Sequence, residues 1–191
     1  MIKEYEIIQK ILRGDRRAFS ILVDRHQSKA MTLAMRMLKN REDAEEALQD
    51  AFLRVFRSLG SFEGKANFAT WFYRIVYNVC ASALEKRGNI SFTSLGEDIN
   101  NVELQIASKA TSPDELMEES EDNNVIYREI ERLPVEYSSV LTLFFVQQMR
   151  YDEITAITGM PLGTVKTRLF RGRLMLREAI SRRLPEKVNF T

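Results

Sequence analysis

The sequence predicts an all-α protein made of two small helical domains joined by a flexible acidic linker, the second domain containing a helix-turn-helix. Apolar residues recur at helical spacing in both halves of the chain, and β-branched residues dominate no window. Only four prolines and eight glycines interrupt these segments. With 45% apolar residues in a chain of 191, enough apolar surface is available to bury a core.

Charge patterning divides the chain into three segments. The net charge of +1 averages over 16 basic and 11 acidic side chains in residues 1–87, one basic and nine acidic in residues 88–124, and 11 basic and seven acidic in residues 125–191. We therefore predict a first domain over 1–87, a linker over 88–121 and a second domain over 122–191. The two basic segments are suited to binding a polyanion, whereas the acidic linker between them is not.

The first domain is predicted to hold four helices. Gly14 ends the apolar stripe of the first, and Asp15 caps a second helix over residues 16–38. Asn40 begins a capping sequence for a third helix that ends near residue 58. After a loop, the fourth helix is expected to run from residue 68 to residue 86.

The third helix is predicted to be amphipathic. Its apolar arc consists of Ala44, Leu48, Ala51, Phe52, Val55 and Leu59. The opposite side carries Glu42, Glu46, Gln49, Asp50, Leu53 and Arg57. Leu53 on this polar side is either a single exposed apolar residue, which is common on protein surfaces, or an anchor for a partner helix.

Residues 61–78, SFEGKANFATWFYRIVYN, hold six of the chain's eighteen aromatic residues. On the fourth helix, one arc is predicted to be core: Phe68, Phe72, Ile75, Val76, Val79 and Ala83. Trp71, Arg74 and Asn78 form a separate stripe, which suits stacking on unpaired bases and hydrogen bonding to their edges. The alternative is that Trp71 fills a second packing interface, and whether Tyr73 and Tyr77 are core or face DNA stays open.

The second domain begins with a helix over residues 125–132. Pro134 can open the following helix, which is expected to extend to about residue 148. A short helix, a tight turn at Gly159 and a longer helix entered at Pro161 come next, in the order of a helix-turn-helix.

The two helices of this predicted motif have apolar faces that can pack on each other. Ile154 and Ile157 supply the first face; Val165, Leu169 and Leu176 supply the second. Five polar side chains are left to point away from the core: Lys166, Thr167, Arg168, Arg171 and Arg173. This pattern favours DNA binding over the alternative, a solvated basic face on a structural hairpin.

No pattern in the sequence indicates catalysis. His26, the only histidine, is expected to be a surface or internally satisfied side chain, and Cys80, the only cysteine, a small buried hydrophobe. There is no phosphate loop, nucleophile motif or paired metal-ligand spacing, so we expect no catalytic residue, enzyme activity, metal, cofactor or small-molecule substrate. The chain lacks a signal segment and any apolar run near about eighteen residues, which indicates a cytoplasmic protein without a membrane span.

Four segments in this order resemble the extracytoplasmic-function (ECF) branch of bacterial RNA polymerase sigma factors, over nearly the whole chain. They are GDRRAFSILVDRH, DAEEALQDAFLRVFRSLGSFEG, FATWFYRIVYN and LPVEYSSVLTLFFVQQMRYDEITAITGMPLGTVKTRLFRGR. The resemblance implies a sigma factor that directs core polymerase to specific promoters and initiates transcription. The alternative is a stand-alone helix-turn-helix regulator that acts without core polymerase, and the N-terminal block argues against it.

The resemblance also implies roles for particular residues. Contact with the β′ clamp helices of core polymerase falls on Glu46, Gln49, Asp50, Leu53 and Arg57. Capture of the non-template strand of the start-proximal (minus-10) element falls on Ser61, Phe62, Gly64, Lys65, Trp71, Arg74 and Asn78. Reading of the upstream (minus-35) duplex falls on Thr164, Lys166, Thr167, Arg168, Phe170, Arg171 and Arg173.

The implied partners are core RNA polymerase, through its β′ clamp helices and β subunit, promoter DNA and an anti-sigma factor, which in this family is often tethered to the inner membrane. The chain departs from the family pattern at two positions. Ser82 stands where many relatives carry Asp, and Thr155 where they often carry Ala. We expect the Thr155 hydroxyl either to loosen the helix crossing or to bond back to the preceding turn.

Overall fold

The computed structural model describes residues 4–64, 66–88 and 122–183, except for the side chains of 122–124. These residues form eight α-helices and no strand, which confirms the predicted fold class. The helices are α1 (Glu4–Leu12), α2 (Ala18–Leu38), α3 (Arg41–Ser58), α4 (Phe68–Lys86), α5 (Asp122–Arg132), α6 (Val135–Leu141), α7 (Tyr151–Thr158) and α8 (Leu162–Arg183). No helix in this part of the chain is long and apolar enough to cross a membrane.

The helices fall into two compact units, the first built on α1 to α4 and the second on α5, α6 and α8. Residues 89–121, which make up almost all of the predicted linker, lie outside the described residues. The predicted domain boundaries therefore stay a prediction.

Two polar side chains accept hydrogen bonds from backbone N–H groups near the starts of α2 and α3. The Asn40 side chain accepts a hydrogen bond from the backbone N–H of Asp43 at 3.0 Å, as the sequence predicts for an N-cap. The Asp15 carboxylate accepts hydrogen bonds from the N–H groups of Arg17 and Ala18 in the turn that precedes α2. The helix itself begins at Ala18, two residues later than predicted, and its N-cap residue, Arg17, makes no side-chain capping bond. The predicted bounds of α4, residues 68 and 86, are confirmed.

The core of the first unit lies where α2, α3 and α4 pack on one another, with α1 against α2. Fully buried apolar side chains come from each of these helices: Ile7, Leu33, Met37, Ala51, Val55, Phe72 and Val76. Burial of each of these side chains except Ala51 stabilises the fold by about 1.5–3 kcal/mol relative to an exposed side chain. The core arc predicted on α4 is partly wrong, because Ile75 and Ala83 are only half-buried. Since α4 packs against two helices, its buried arc is wider and includes Tyr73, Tyr77, Cys80 and Leu84.

In the second unit α6 and α8 approach closely at Gly172 in the middle of α8. A Cβ atom at this position would lie 2.9 Å from Leu141 Cδ1 and 3.4 Å from Tyr137 Cβ. Just after Leu141 the chain continues as a π-helical turn over Thr142–Val146, which ends the long helix predicted to reach residue 148. This turn carries Phe144 and Phe145, both buried.

Candidate functional site

The outer side of α3 combines charged, polar and apolar groups. Glu46, Gln49 and Arg57 are exposed, and Leu53 keeps 54% of its surface accessible. Asp50 is half-buried and pairs with Arg54 at 2.8 Å, one turn along the helix. All five residues predicted to contact polymerase therefore lie at the surface of α3.

Sequence reasoning missed Phe56 as part of this surface. Its side chain is 39% exposed and lies three residues after Leu53, so the two residues are neighbours on the helix surface. The Phe56 ring contacts Phe19 of α2, with centroids 5.1 Å apart and planes at 75°. The spacing of Leu53 and Phe56 could have revealed the pair, but Phe56 follows the buried Val55 directly and was not assigned to either face.

Three rings cluster where the loop before α4 meets the helix. We call Phe62, Phe68 and Trp71 the ring cluster. Phe62 and Trp71 have centroids 5.2 Å apart, and each lies 5.8 Å from Phe68. Phe68 is buried, whereas Phe62 and Trp71 are half-buried and keep part of each ring accessible. Phe68 is thus the buried base of the ring cluster, and Phe62 and Trp71 are its two partly accessible rings. The distances between the three rings lie in the range at which aromatic pairs attract.

Polar side chains continue from the ring cluster along α4. Arg74 and Asn78, one and two turns after Trp71, are exposed. Tyr73 and Tyr77 are 2% and 3% exposed, so both are core, which settles the question left open by the sequence. Burial, with a smaller contribution from the Glu4 carboxylate, raises the pKa of the Tyr73 phenol.

The loop between α3 and α4 brings further predicted residues next to the ring cluster. Ser61 and Gly64 are exposed, and Ser61 Oγ donates to the Ser58 carbonyl at 2.7 Å. Gly64 has φ of +69°, a conformation that glycine adopts without strain. Lys65, also predicted to contact the minus-10 strand, lies outside the described residues.

His26 is an internally satisfied side chain, one of the two outcomes expected from the sequence. It is 8% exposed, and its Nε2 lies 2.8 Å from Glu4 Oε1. This hydrogen bond, opposed by burial, lowers the pKa of Glu4. Cys80 is fully buried as predicted, and burial raises the pKa of its thiol to about 12.

The turn and helices of the predicted helix-turn-helix are present in the backbone. α7 ends at Thr158, Gly159 adopts φ of +73°, and α8 begins at Leu162. Thr155 Oγ1 donates to the Tyr151 carbonyl at 2.9 Å, which confirms the back-bond as one of the two expected outcomes.

Ser82, the other position that departs from the family pattern, lines a groove between α3 and α4. In this groove the Asp43 carboxylate of α3 pairs with the guanidinium of Arg87, which follows the last residue of α4.

The polar face predicted on α8 is only partly exposed. Phe170 is 45% exposed, and Lys166, Thr167 and Arg171 are half-buried. The expectation that Arg168 points away from the core is wrong: it is 6% exposed and its Nη1 donates to Met160 Sδ at 2.8 Å. Thr164 is buried as well.

Arg173 also departs from the predicted polar face. Its guanidinium lies over the rings of Phe144 and Phe145, 4.8 and 5.4 Å from their centroids. Its Nε and Nη2 are buried and make no hydrogen bond. The period of α8 alone could not show this, because the π-helical turn that presents the two rings was not predicted.

Two family models match the chain: sigma-70 region 2 over residues 22–90 and sigma-70 region 4 over residues 123–176. The first covers most of α2 to α4 with the ring cluster, and the second covers the helix-turn-helix. These two matches identify the chain as an RNA polymerase sigma factor.

Proteins that match the chain over most of its length identify its family within the sigma factors. It is 32% identical to RNA polymerase sigma-H factor of Pseudomonas aeruginosa, over 96% of this chain and 97% of that protein. It is also 32% identical to ECF RNA polymerase sigma-E factor of Escherichia coli K12, over 87% of this chain and 88% of that protein. The chain belongs to the ECF family of RNA polymerase sigma factors. This confirms the main function predicted from the sequence and leaves the stand-alone regulator without support.

Two solved structures share the fold. CnrH in complex with the cytosolic domain of CnrY matches with a TM-score of 0.62 at 19% identity, over 92% of this chain and 95% of that chain. The sigma factor RpoE of Bartonella quintana, in complex with the anti-sigma factor NepR, matches with a TM-score of 0.62 at 23% identity, over 85% of this chain and 96% of that chain.

Proposed function

We propose that this ECF sigma factor divides promoter recognition among three surfaces: the outer side of α3 for core polymerase, the ring cluster with Arg74 and Asn78 for the unpaired minus-10 strand, and α8 for the minus-35 duplex. It acts in the cytoplasm by binding alone, with no reaction of its own. The observation that carries this proposal is the half-buried Phe62 and Trp71 ring pair beside exposed polar groups.

Strand capture follows from what the ring cluster can do chemically. An open aromatic ring stacks on any base and contributes about 1–3 kcal/mol per base. Extruding a base from the duplex costs a few kcal/mol, so one stacked base roughly offsets its own unpairing. Arg74 and Asn78 then supply donors and acceptors for base edges or phosphates. Because this balance is close, opening also needs the binding energy of core polymerase and the rest of the promoter.

Polymerase binding is assigned to α3 because it presents apolar side chains within a polar surround. Leu53 and Phe56 are exposed apolar groups, and Glu46, Gln49 and Arg57 surround them with polar groups. Protein interfaces commonly have this form, with an apolar centre and a polar rim. Phe56 is added here to the residues predicted from the sequence.

Duplex reading is assigned to the accessible part of α8. Lys166, Thr167, Phe170 and Arg171 reach the surface and offer charge, a hydroxyl and an apolar group to a groove. Thr164 and Arg168 are buried, and the guanidinium of Arg173 lies over the ring of Phe144. The base and phosphate contacts therefore come from the other four.

An anti-sigma factor is proposed as the regulatory partner. The two solved relatives are complexes, one with the cytosolic domain of CnrY and the other with an anti-sigma factor. An inhibitor that covers the polymerase-binding or DNA-binding surface prevents initiation without changing the fold. If the inhibitor is anchored in the inner membrane, the sigma factor is held there until release.

Transcription reconstituted with purified core polymerase and genomic templates tests the proposal. We expect promoter-specific transcripts only when this protein is added. Trp71→Ala should abolish opening of the minus-10 element and spare core binding, whereas Trp71→Phe, which keeps a ring, should retain most of it. A protein that footprints a duplex site alone and yields no transcript with core polymerase would refute the proposal, and loss of core binding in Trp71→Ala would show a structural role for this residue.

A further inference from the structure

His26 occupies a position that the proposed mechanism does not use. Its ring lies between α1 and the aromatic residues of α4, with centroids 5.4 Å from Phe68 and 5.2 Å from Phe72. On its other edge, Nε2 meets the Glu4 carboxylate at 2.8 Å. A single imidazole thus joins a charged group on α1 to the base of the ring cluster.

The chemistry of this contact determines which group donates. Glu4 has a lowered pKa, so its carboxylate is ionised at neutral pH and can only accept hydrogen bonds. The proton of the contact is therefore carried by Nε2 of His26, which donates. The hydrogen bond fixes the orientation of the imidazole, and a phenylalanine or leucine at this position would have no equivalent tether.

From His26 the contacts lead directly to the two partly open rings. Phe68 stacks on Phe72 with planes 12° apart and supports Phe62 edge-on at 89°. Trp71 rests on the same Phe68 ring at 5.8 Å. A shift of Phe68 would therefore move both rings proposed to stack on bases. Packed interiors transmit such shifts because they have few voids to absorb them.

We propose that His26 is a positioning residue for strand capture: held by Glu4, it fixes Phe68 and through it the Phe62 and Trp71 rings that receive the unpaired strand. The inference rests on the proposed function of the ring cluster. It assigns His26 no contact with DNA.

The test uses holoenzyme reconstituted from core polymerase and full-length protein. The probe is a labelled single-stranded oligonucleotide with the non-template minus-10 sequence of a promoter found by the transcription assay. We expect His26→Ala and Glu4→Ala each to weaken strand affinity about three- to tenfold, comparable to removing one ring interaction, with core affinity unchanged. Glu4→Gln keeps an oxygen that can accept from Nε2 and should retain most of the affinity. Unchanged strand affinity in both alanine variants would overturn the inference.

Trp71 provides a second readout in the free protein, because it is the only tryptophan. Its emission should become easier to quench with acrylamide in Glu4→Ala, even if His26→Ala fails to fold. The matched control is Asn40→Ala, which removes the N-cap of α3 at a cost of about 2- to 30-fold in the folding equilibrium. A comparable change in strand affinity or quenching in this control would show that general destabilisation is responsible, and would overturn the inference.

A double-mutant cycle separates the inference from the proposed function. If His26 acts through the rings, His26→Ala should cause a smaller loss of strand affinity in the Trp71→Ala background than in the unaltered protein, because only the Phe62 ring is then left to be positioned. Additive losses would overturn the positioning role and leave capture by Trp71 standing. If Trp71→Ala itself binds the strand as well as the unaltered protein does, both the proposed capture and this inference are wrong.

Discussion

The guanidinium carbon of Arg173 lies 4.8 Å from the centroid of the Phe144 ring. Two of its nitrogens are buried without a hydrogen bond, so the attraction of the cation to the ring is offset by lost hydration. Arg173 thus connects α8 to the π-helical turn by a side-chain contact. It is poorly placed to neutralise a phosphate, although its place in the sequence suggests that role.

Salt dependence of duplex binding distinguishes Arg173 from Arg171. Removing one cation that neutralises a phosphate should flatten the slope of log affinity against log salt concentration by about 0.9. We expect Arg171→Met to flatten the slope by about this amount and Arg173→Met to leave it unchanged, as measured with holoenzyme and a minus-35 duplex. Equal flattening in both variants would place Arg173 on the DNA.

Gly172→Ala should destabilise the protein although alanine is the better helix former. The added methyl group would meet Leu141 at 2.9 Å, and overpacking of this kind costs about 1–3 kcal/mol. Gly163→Ala is the matched control on the same helix, because nothing lies within 4 Å of its added Cβ. Urea unfolding should show a lower free energy of unfolding for the first variant and no loss for the second. Equal stability of the two variants would mean that α6 and α8 separate at little cost.

The stabilisation from Glu4 should depend on pH in a defined direction. The hydrogen bond from His26 lowers the pKa of Glu4 below its ordinary 4.5, against the opposing effect of burial. The stabilisation is therefore fully present above the unfolded-state pKa and is lost as the pH falls through the lowered folded-state pKa. In urea unfolding, the difference between the unaltered protein and Glu4→Gln should be largest near neutral pH and should shrink in acid. A difference that is constant with pH would show that the charge of Glu4 is not involved.

Leu53 and Phe56 should contribute to core polymerase affinity. We expect Leu53→Ala and Phe56→Ala each to weaken binding about tenfold, as truncation of a central interface residue commonly does. The control is Tyr5→Ala on α1, since Tyr5 is 65% exposed and lies outside the proposed surface. Titration of labelled variants with purified core polymerase measures these affinities. An equal effect of Tyr5→Ala, or none from the α3 variants, would remove the apolar pair from the interface.

Much of the first unit could be predicted from local sequence alone. The N-cap at Asn40 and the bounds of α4 depend on residues close together in the chain and are present as expected. The exposed side of α3 follows from its period in the same way. Four motifs in order also indicated the family, through their resemblance to ECF sigma factors.

Tertiary structure decided which polar and aromatic side chains were turned inward. Tyr73 and Tyr77 are core because α4 packs against two helices, and its period could not reveal how wide the buried arc would be. Arg173 is withdrawn by the rings of a π-helical turn, and His26 is held by Glu4, twenty-two residues earlier in the chain. Helical period assigns a side chain to a face, but only contacts between distant segments determine whether that face meets water or another helix.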